Sequence, residues 1–439
     1  MKKSFIKTLF IVFLSIFFVN NYALSQSSVI PSSEDIFNYY DVYNSYKEDE
    51  EKLVKIVDLI NIIEKRFYEQ GKTIKREDLY EGALNGIVNK LDDNYSEYLT
   101  IEDLNSQEEE MNGEYVGVGI YVEKKKGEPM EVTSPFIGSP AEKVGIKSGD
   151  RIIKVGGEDV LPLTAAETIK KIKGKENTNV ELEILRGEET KPIKFLLTRK
   201  KIKINMLESE MIDDNIGYVS LLQFGYGVGD KIENSVKDLQ SKGMKGLILD
   251  LRLNPGGSLN EAQDISSLFV KGDLITTLKN KNGLETKYKR TKNYLGDFPL
   301  VVLVNKGSAS ASELVAGAIK DYKRGTIIGT TTFGKGIVQS VIPLTTDNSA
   351  VKLTTAEYFT PKNIAIHKIG VKPDIEVEME ELMVIKGYAN VSEKDLNKRK
   401  KEIEKILIKD KGEDEAKKII EKGDVQLERA LSEIKKKIK

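Results

Sequence analysis

Three short segments of this 439-residue chain hold residues whose types and spacing suit acyl chemistry. The first is Asn305-Lys306-Gly307-Ser308-Ala309-Ser310-Ala311-Ser312-Glu313, a run of small residues between a predicted buried strand and a predicted helix. A serine there would sit at a helix N-terminus, where unpaired N–H groups and the helix dipole favour a developing negative charge. Alone, the segment reads more simply as a Ser-rich N-cap. The second is Thr331-Thr332-Phe333-Gly334-Lys335-Gly336-Ile337-Val338-Gln339. A desolvated lysine falls from about 10.4 toward neutrality and can then accept a proton; alone, Lys335 reads as a surface residue in a turn. The third, Asp250-Leu251-Arg252-Leu253-Asn254-Pro255-Gly256-Gly257, lies at the carboxyl end of a predicted central strand, where open α/β sheets build sites. Its Gly-Gly pair can offer N–H groups to an oxyanion, or simply turn the chain.

Composition narrows the chemistry. There is no Cys and one His, His367. A Cys nucleophile and Cys/His zinc sites are therefore excluded, and a Ser-His-Asp triad could use only His367. That residue follows the apolar Ile364–Ile366 run and reads as a solvent-facing or hydrogen-bonded histidine. No metal or cofactor is implied. Hydrophobic residues make up 39% and charged residues 31%, with a net charge of -1 and no basic stripe. Nucleic acid is excluded as the main partner, because phosphate binding needs clustered positive charge. A Ser-x-x-Lys acyltransferase is set aside: Ser432-Glu433-Ile434-Lys435 lies in a charged helix without the Ser-Asp-Asn and Lys-Thr-Gly partners.

The elements that must position these residues follow from periodicity. Lys2, Lys3 and Lys7, the apolar Leu9–Val19 run and Ala23-Leu24-Ser25 read as a secretory signal over residues 1–25, cleaved before Gln26. The run is too short to span a bilayer comfortably. The mature chain is thus expected outside the cytoplasm, periplasmic or extracytoplasmic, and membrane-associated if the signal is retained; it has no disulfides to lean on. Residues 26–110 read as helical, with Leu53, Ile56, Leu59, Ile60 and Ile63 at helical spacing. Residues 111–200 carry short β-rich runs between Gly/Pro turns, with helices at Ala141–Val144 and Ala165–Ile172. Residues 201–380 alternate strands (Ile216–Leu222, Gly246–Leu251, Leu300–Val304, Thr326–Gly329, Val338–Ile342, Val351–Tyr358) with helices, which predicts a layered α/β core. Residues 381–439 read as a solvated amphipathic helical tail. The fold class is α+β and multidomain.

Taken together and in order, Ser308–Glu313, Phe333-Gly334-Lys335-Gly336 and Asp250–Gly257 resemble the carboxyl-terminal processing peptidases, or tail-specific proteases, over nearly the whole chain. Leu91-Asp92-Asp93 with Tyr95-Ser96 and Tyr98-Leu99, Gly370-Val371-Lys372-Pro373-Asp374 and Asp424-Val425-Gln426-Leu427 are family-like too. Where the family often has Asp-Pro after Leu91, this chain has Asp92-Asp93, a departure expected to leave catalysis unaffected. The resemblance implies a layered protease core with an inserted PDZ-like domain, and a serine endopeptidase activity. It assigns Ser310 as nucleophile, Lys335 as general base and Gln339 as the residue orienting the lysine. It also assigns the N–H groups of Ala311 and of Gly256 or Gly257 as oxyanion donors. Glu114-Tyr115-Val116-Gly117-Val118-Gly119-Ile120 resembles a PDZ carboxylate-binding loop, so Tyr115 to Ile120 are expected to take a substrate C-terminus added as a strand. Arg186 is a candidate reporter of PDZ position to the core. The partners implied are protein and peptide substrates and, from the helical ends, a second copy or more of the chain.

Overall fold

The computed structural model describes residues 49–68, 74–124, 128–135, 139–147, 149–163, 165–187, 189–203, 205–345, 347–380, 383–384, 400–401, 403–405, 407–408 and 411–438. The signal segment, residues 1–25, lies outside them. The chain divides into two units, residues 1–87 and 88–439. In the first, helix α1 (Glu50–Arg66) precedes α2, which starts at Arg76 and ends at Asn89. The Arg76 guanidinium reaches back to Asn61 Oδ1 at 3.0 Å and to Glu64, tying the start of α2 to α1.

The second unit opens with β1 (Glu97–Leu99) and α3 (Ile101–Met111). Helix α3 begins at a capping box: Asp103 N donates to Thr100 Oγ1 at 3.2 Å, and Thr100 N donates to the Asp103 carboxylate at 3.1 Å. Strand β2 (Glu114–Gly117) pairs antiparallel with β9 (Lys200–Lys203) as a ribbon, and the chain between them forms a separate small domain. Its sheet runs β3 (Ile120–Glu123), β4 (Met130–Pro135), β5 (Asp150–Val155), β7 (Asn179–Arg186), β8 (Ile193–Thr198), with β6 (Glu158–Asp159) on β5. Helices α4 (Pro140–Lys143) and α5 (Ala165–Ile172) complete it. Alternating apolar positions close its core around Met130, Val132, Ile152, Leu182 and Ile184.

The core that carries the three chemical segments is a six-stranded sheet: β10 (Leu207–Ile212), β11 (Ile216–Leu221), β12 (Gly246–Asp250), β15 (Leu300–Val304), β16 (Thr326–Gly329) and β19 (Ile375–Glu376). It is parallel from β11 onward, with β10 antiparallel at one edge. Strands β11, β12 and β15 are buried at every position, which is why Leu247–Leu249 of β12 and Leu300–Val304 of β15 read as continuous apolar runs rather than alternating ones. One face packs on α6 (Val228–Ser241), α7 (Leu259–Phe269) and α8 (Ala311–Asp321). Between α7 and α8 run β13 (Leu274–Asn280), β14 (Glu285–Lys289) and β15; β17 (Ile337–Pro343) and β18 (Ala350–Phe359) follow β16. Near the C-terminus come α9 (Glu413–Lys422) and α10 (Val425–Ile438). The other face of the sheet packs on α10 through Ala430 and Ile434. Gly246 permits that seating, since a Cβ there would come within 2.6 Å of Ile434 Cγ2. A second sheet, β1-β18-β13-β14 with β17 also on β18, flanks the core.

The expected core strands and helices are present, most within a residue or two of their predicted limits. Strands β1, β6, β9, β10, β13, β14 and β19 were not expected. Strand β14 is Glu-Thr-Lys-Tyr-Lys with only Tyr288 partly buried, so it carries no apolar signal. Strand β1 has three residues inside a stretch expected to be helical, and its strand character comes from pairing with β18.

The C-terminal tail is tied to the core by Arg252, which is 1% exposed. Its guanidinium donates to Asp250 Oδ2 at 2.6 Å and to both Asp424 oxygens, at 2.7 and 2.9 Å. Asp424 also accepts from Leu427 N at 2.9 Å, capping α10. Asp424→Ala is expected to destabilise the fold by about 1–3 kcal/mol, because Arg252 keeps Asp250 but loses a paired carboxylate. A denaturant melt of the two proteins measures it.

Candidate active site

Ser310 is the N-cap of α8 and holds φ +55°, a backbone conformation that non-glycine residues rarely adopt and that costs about 1–3 kcal/mol. Its neighbours hold it there. Ser308 Oγ donates to Leu251 O at 2.8 Å and Ser312 Oγ to Asn254 O at 2.9 Å, both serines being fully buried. Ala309 N donates to the same Asn254 carbonyl at 3.0 Å. Of the three serines, then, 308 and 312 are committed to the framework, and Ser310 is the half-exposed one.

The Lys335 loop is joined to this helix start by two buried side chains. The Glu313 carboxylate, with no exposed surface, accepts from Ser310 N and Lys335 N at 2.8 Å each, from Gly334 N at 2.7 Å and from Thr332 Oγ1 at 2.5 Å. Burial pushes the Glu313 carboxyl above its ordinary value while these donors pull it back. On the other side, the Tyr358 hydroxyl meets the carbonyl of Ser310 at 2.8 Å and that of Lys335. The glycines beside Lys335 serve packing. Gly334 needs φ +90°, and a Cβ on Gly336 would lie 2.3 Å from His367 N. His367 thus contributes backbone packing, and its Nδ1 is buried without a hydrogen-bond partner.

Lys335 is half-buried, and burial, helped by the nearby charge of Lys352, lowers its pKa from the ordinary lysine value; Asp93 opposes the fall. No hydrogen bond joins Lys335 Nζ to Ser310 Oγ. The ammonium sits 4.6 Å from the centre of the Tyr95 ring. Gln339 lies on β17 beside a bulge, and its amide donates to Thr354 Oγ1 at 3.2 Å rather than to Lys335.

At the start of α8, Ala311 N makes no hydrogen bond within the described residues. On the facing loop, Gly256 N donates to Asn254 Oδ1 at 2.9 Å, whereas Gly257 N has no such partner. The Gly256 backbone abuts Ser310: a Cβ there would come 2.8 Å from Ser310 Cβ.

In the small domain, Tyr115, Val116 and Gly117 belong to the β2–β9 ribbon, and of the segment expected to take a carboxylate, Val118 and Gly119 lie between that ribbon and Ile120, which opens β3. The amides of Val118 and Gly119 are unpartnered among the described residues, and the Gly119 carbonyl accepts from Ser139 Oγ at 3.1 Å. Strand β3 is an edge of its sheet, and its Ile120 and Val122, like Ala165 and Ile169 of α5, are partly buried against the domain core. Arg186 is bidentate on Asp150, at 2.7 and 2.8 Å, and reaches Gly145 O; these contacts lie within the small domain.

Glu313, Tyr358, Tyr95 and Asp93 were not assigned roles from sequence. Glu313 was legible: Ser310-x-x-Glu313 is a capping-box pattern. Tyr358 and Tyr95 reach the site only through strand pairing, which leaves no local signal.

Residues 215–377 match peptidase family S41, residues 131–186 match the PDZ domain, and residues 14–103 match the activating protease CtpB N-terminal domain. The chain is 37% identical over 383 residues to the carboxy-terminal-processing protease of Bartonella bacilliformis, covering 85% of this chain and 84% of that protein. It is 40% identical over 302 residues to the carboxy-terminal processing protease CtpA of Bacillus subtilis, covering 69% of this chain. It spans only 64% of that relative's length. It is also similar to the solved structure of a photosystem II D1 C-terminal processing protease, with TM-score 0.49 and 28% identity, over 74% of this chain and 92% of that one.

Glu313→Gln is expected to destabilise the protein by about 2–4 kcal/mol, because the amide nitrogen faces donors where a carboxylate oxygen accepted two. The shift in denaturant midpoint relative to the parent chain reads it.

Proposed function

The chain belongs to peptidase family S41, and from that membership we propose that it is an exported serine endopeptidase that takes substrate C-termini on its PDZ domain and cleaves with Ser310 and Lys335. The observation that carries this reading is the shared Glu313 carboxylate, which sets the Ser310 and Lys335 backbones side by side at a helix N-terminus. Burial favours an uncharged Lys335, the form a general base needs.

In this mechanism Lys335 Nζ swings from the Tyr95 ring and takes the Ser310 proton. Ser310 Oγ attacks the scissile carbonyl, and the oxyanion accepts hydrogen bonds from Ala311 N and from the second donor. The unpartnered Gly257 amide favours Gly257 for that place; Gly256 would first have to release Asn254. The Lys335 ammonium then protonates the leaving amine, and water deprotonated by Lys335 hydrolyses the acyl ester. Gln339 orients Lys335 only if its amide leaves Thr354. A substrate C-terminus adds to the open edge of β3, with its carboxylate on the Val118 and Gly119 amides. The working form is a homo-oligomer outside the cytoplasm.

Incubation with an unfolded protein, with the cuts mapped by mass spectrometry, tests the reading. Ser310→Ala and Lys335→Ala should each lower cleavage by at least about 10³-fold without loss of fold. Peptide binding without Ser310-dependent cuts would instead make the chain a binding scaffold. A second measurement uses pH. Lys335 must be neutral to act, so kcat/KM should climb as pH rises through its depressed pKa and level off above it. A limb that climbs only at the ordinary lysine value of 10.5 would contradict a buried base.

A further inference from the structure

Residues 93–99 reach the site from outside the three chemical segments. Strand β1 pairs antiparallel with β18, setting Glu97 opposite Lys352 and Leu99 opposite Ala350. A Glu97–Lys352 ion pair at 2.8 Å reinforces the register. Just before β1, Ser96 Oγ donates to Asp93 Oδ2 at 2.5 Å and accepts from Thr354 N at 3.1 Å. Asp93 Oδ1 accepts from Tyr95 N at 3.2 Å. The turn is therefore closed on itself and fastened to β18. It presents the Tyr95 ring to Lys335 Nζ at 4.6 Å.

We propose that Tyr95 is a positioning residue for Lys335: its ring face, brought in by β1 pairing with β18, seats the ammonium, so that residues 93–99 fix where the amine rests before it meets Ser310. This rests on the reading of Lys335 as the general base.

The physics follows from which charges face the amine. The face of an aromatic ring attracts a cation and not a neutral amine. From β18, Lys352 repels the Lys335 charge, and Glu97 partly neutralises Lys352 through their ion pair. From the turn, Asp93 attracts it. Glu313 and Tyr358 bind the Lys335 main chain. Tyr95 therefore acts with Asp93 to hold the cation, against burial and Lys352, which expel the proton. The seat opposes deprotonation, and the amine must leave it to act. Gln339 belongs to the same arrangement: its amide donates to Thr354 Oγ1, and Thr354 N donates to Ser96 Oγ in the turn.

The test titrates Lys335 directly by NMR of ¹³Cε-labelled lysine, with Lys335→Arg identifying the resonance, in the full mature chain. Tyr95→Leu keeps apolar cover and removes the ring face. Its Lys335 midpoint should fall by about 0.4–1.5 pH units, and Tyr95→Phe should hold close to the parent value. The acid limb of kcat/KM should move down with the midpoint in Tyr95→Leu, which a merely structural role would not produce. A Lys335 midpoint unchanged by Tyr95→Leu, or lowered equally by Tyr95→Phe, overturns the proposal. Should the parent chain make no Ser310-dependent cut, the peptidase reading falls while the titration still decides the seat.

Discussion

Glu313 presents two oxygens to four donors drawn from two loops, one at the start of α8 and one around Lys335. Each of those donors would otherwise be a buried polar group without a partner, at about 1–3 kcal/mol apiece. A carboxylate is the side chain suited to the place, because it accepts at both oxygens and donates at neither. Tyr358 answers it from the opposite side, giving one hydroxyl to the carbonyls of Ser310 and Lys335. Donors on one side and acceptors on the other register the two backbones without any direct bond between the Ser310 and Lys335 side chains. That arrangement also explains how Ser310 persists at positive φ. The strain is local, and the opposing hydrogen bonds are made by residues that cannot move independently.

The core was legible because its parallel strands are buried on both faces, so Leu247–Leu249 and Leu300–Val304 announce themselves as unbroken apolar runs. The loops were legible because their small residues have steric work to do. A Cβ at Gly256 would strike Ser310, and one at Gly336 would strike His367. The glycines around Lys335 allow a close approach to the 367–370 backbone. What stayed hidden depends on long-range pairing. Strand β1 has no periodicity of its own, and β14 is polar throughout. Tyr95 reaches Lys335 only because residue 97 pairs with residue 352. Alternation and turn chemistry are local signals, and no local signal reports a partner 255 residues away.

The α8 start and the Gly256 loop meet at the carboxyl end of β12 and β15, and the same loop is anchored behind by Arg252. Its guanidinium is buried, so its two carboxylate partners matter as much for satisfying it as for attraction. One of those partners, Asp424, opens α10, the helix that covers the far face of the sheet. The tail expected to be a solvated helix is therefore half core: Ala430 and Ile434 are buried while its lysines face out. A charged amphipathic sequence reads as a surface helix whether or not one stripe is covered, and here the small Gly246 is what lets it be covered.

Lys335 sits where these constraints converge. Its main chain is fixed by Glu313 and Tyr358, so only its side chain is free to choose between neighbours. A buried amine favours the neutral form and a ring face favours the cation, and both act on Lys335 where it sits beside Tyr95. In the proposed mechanism the amine leaves this place, beside Tyr95 and Asp93, for a second one at Ser310, which offers a hydroxyl and no charge. Moving between them therefore couples the location of the nitrogen to its protonation. In the proposed mechanism a proton is easier to lose at the end of that swing than at its start, so the amine is neutral, and able to accept a proton, in the place where it would act.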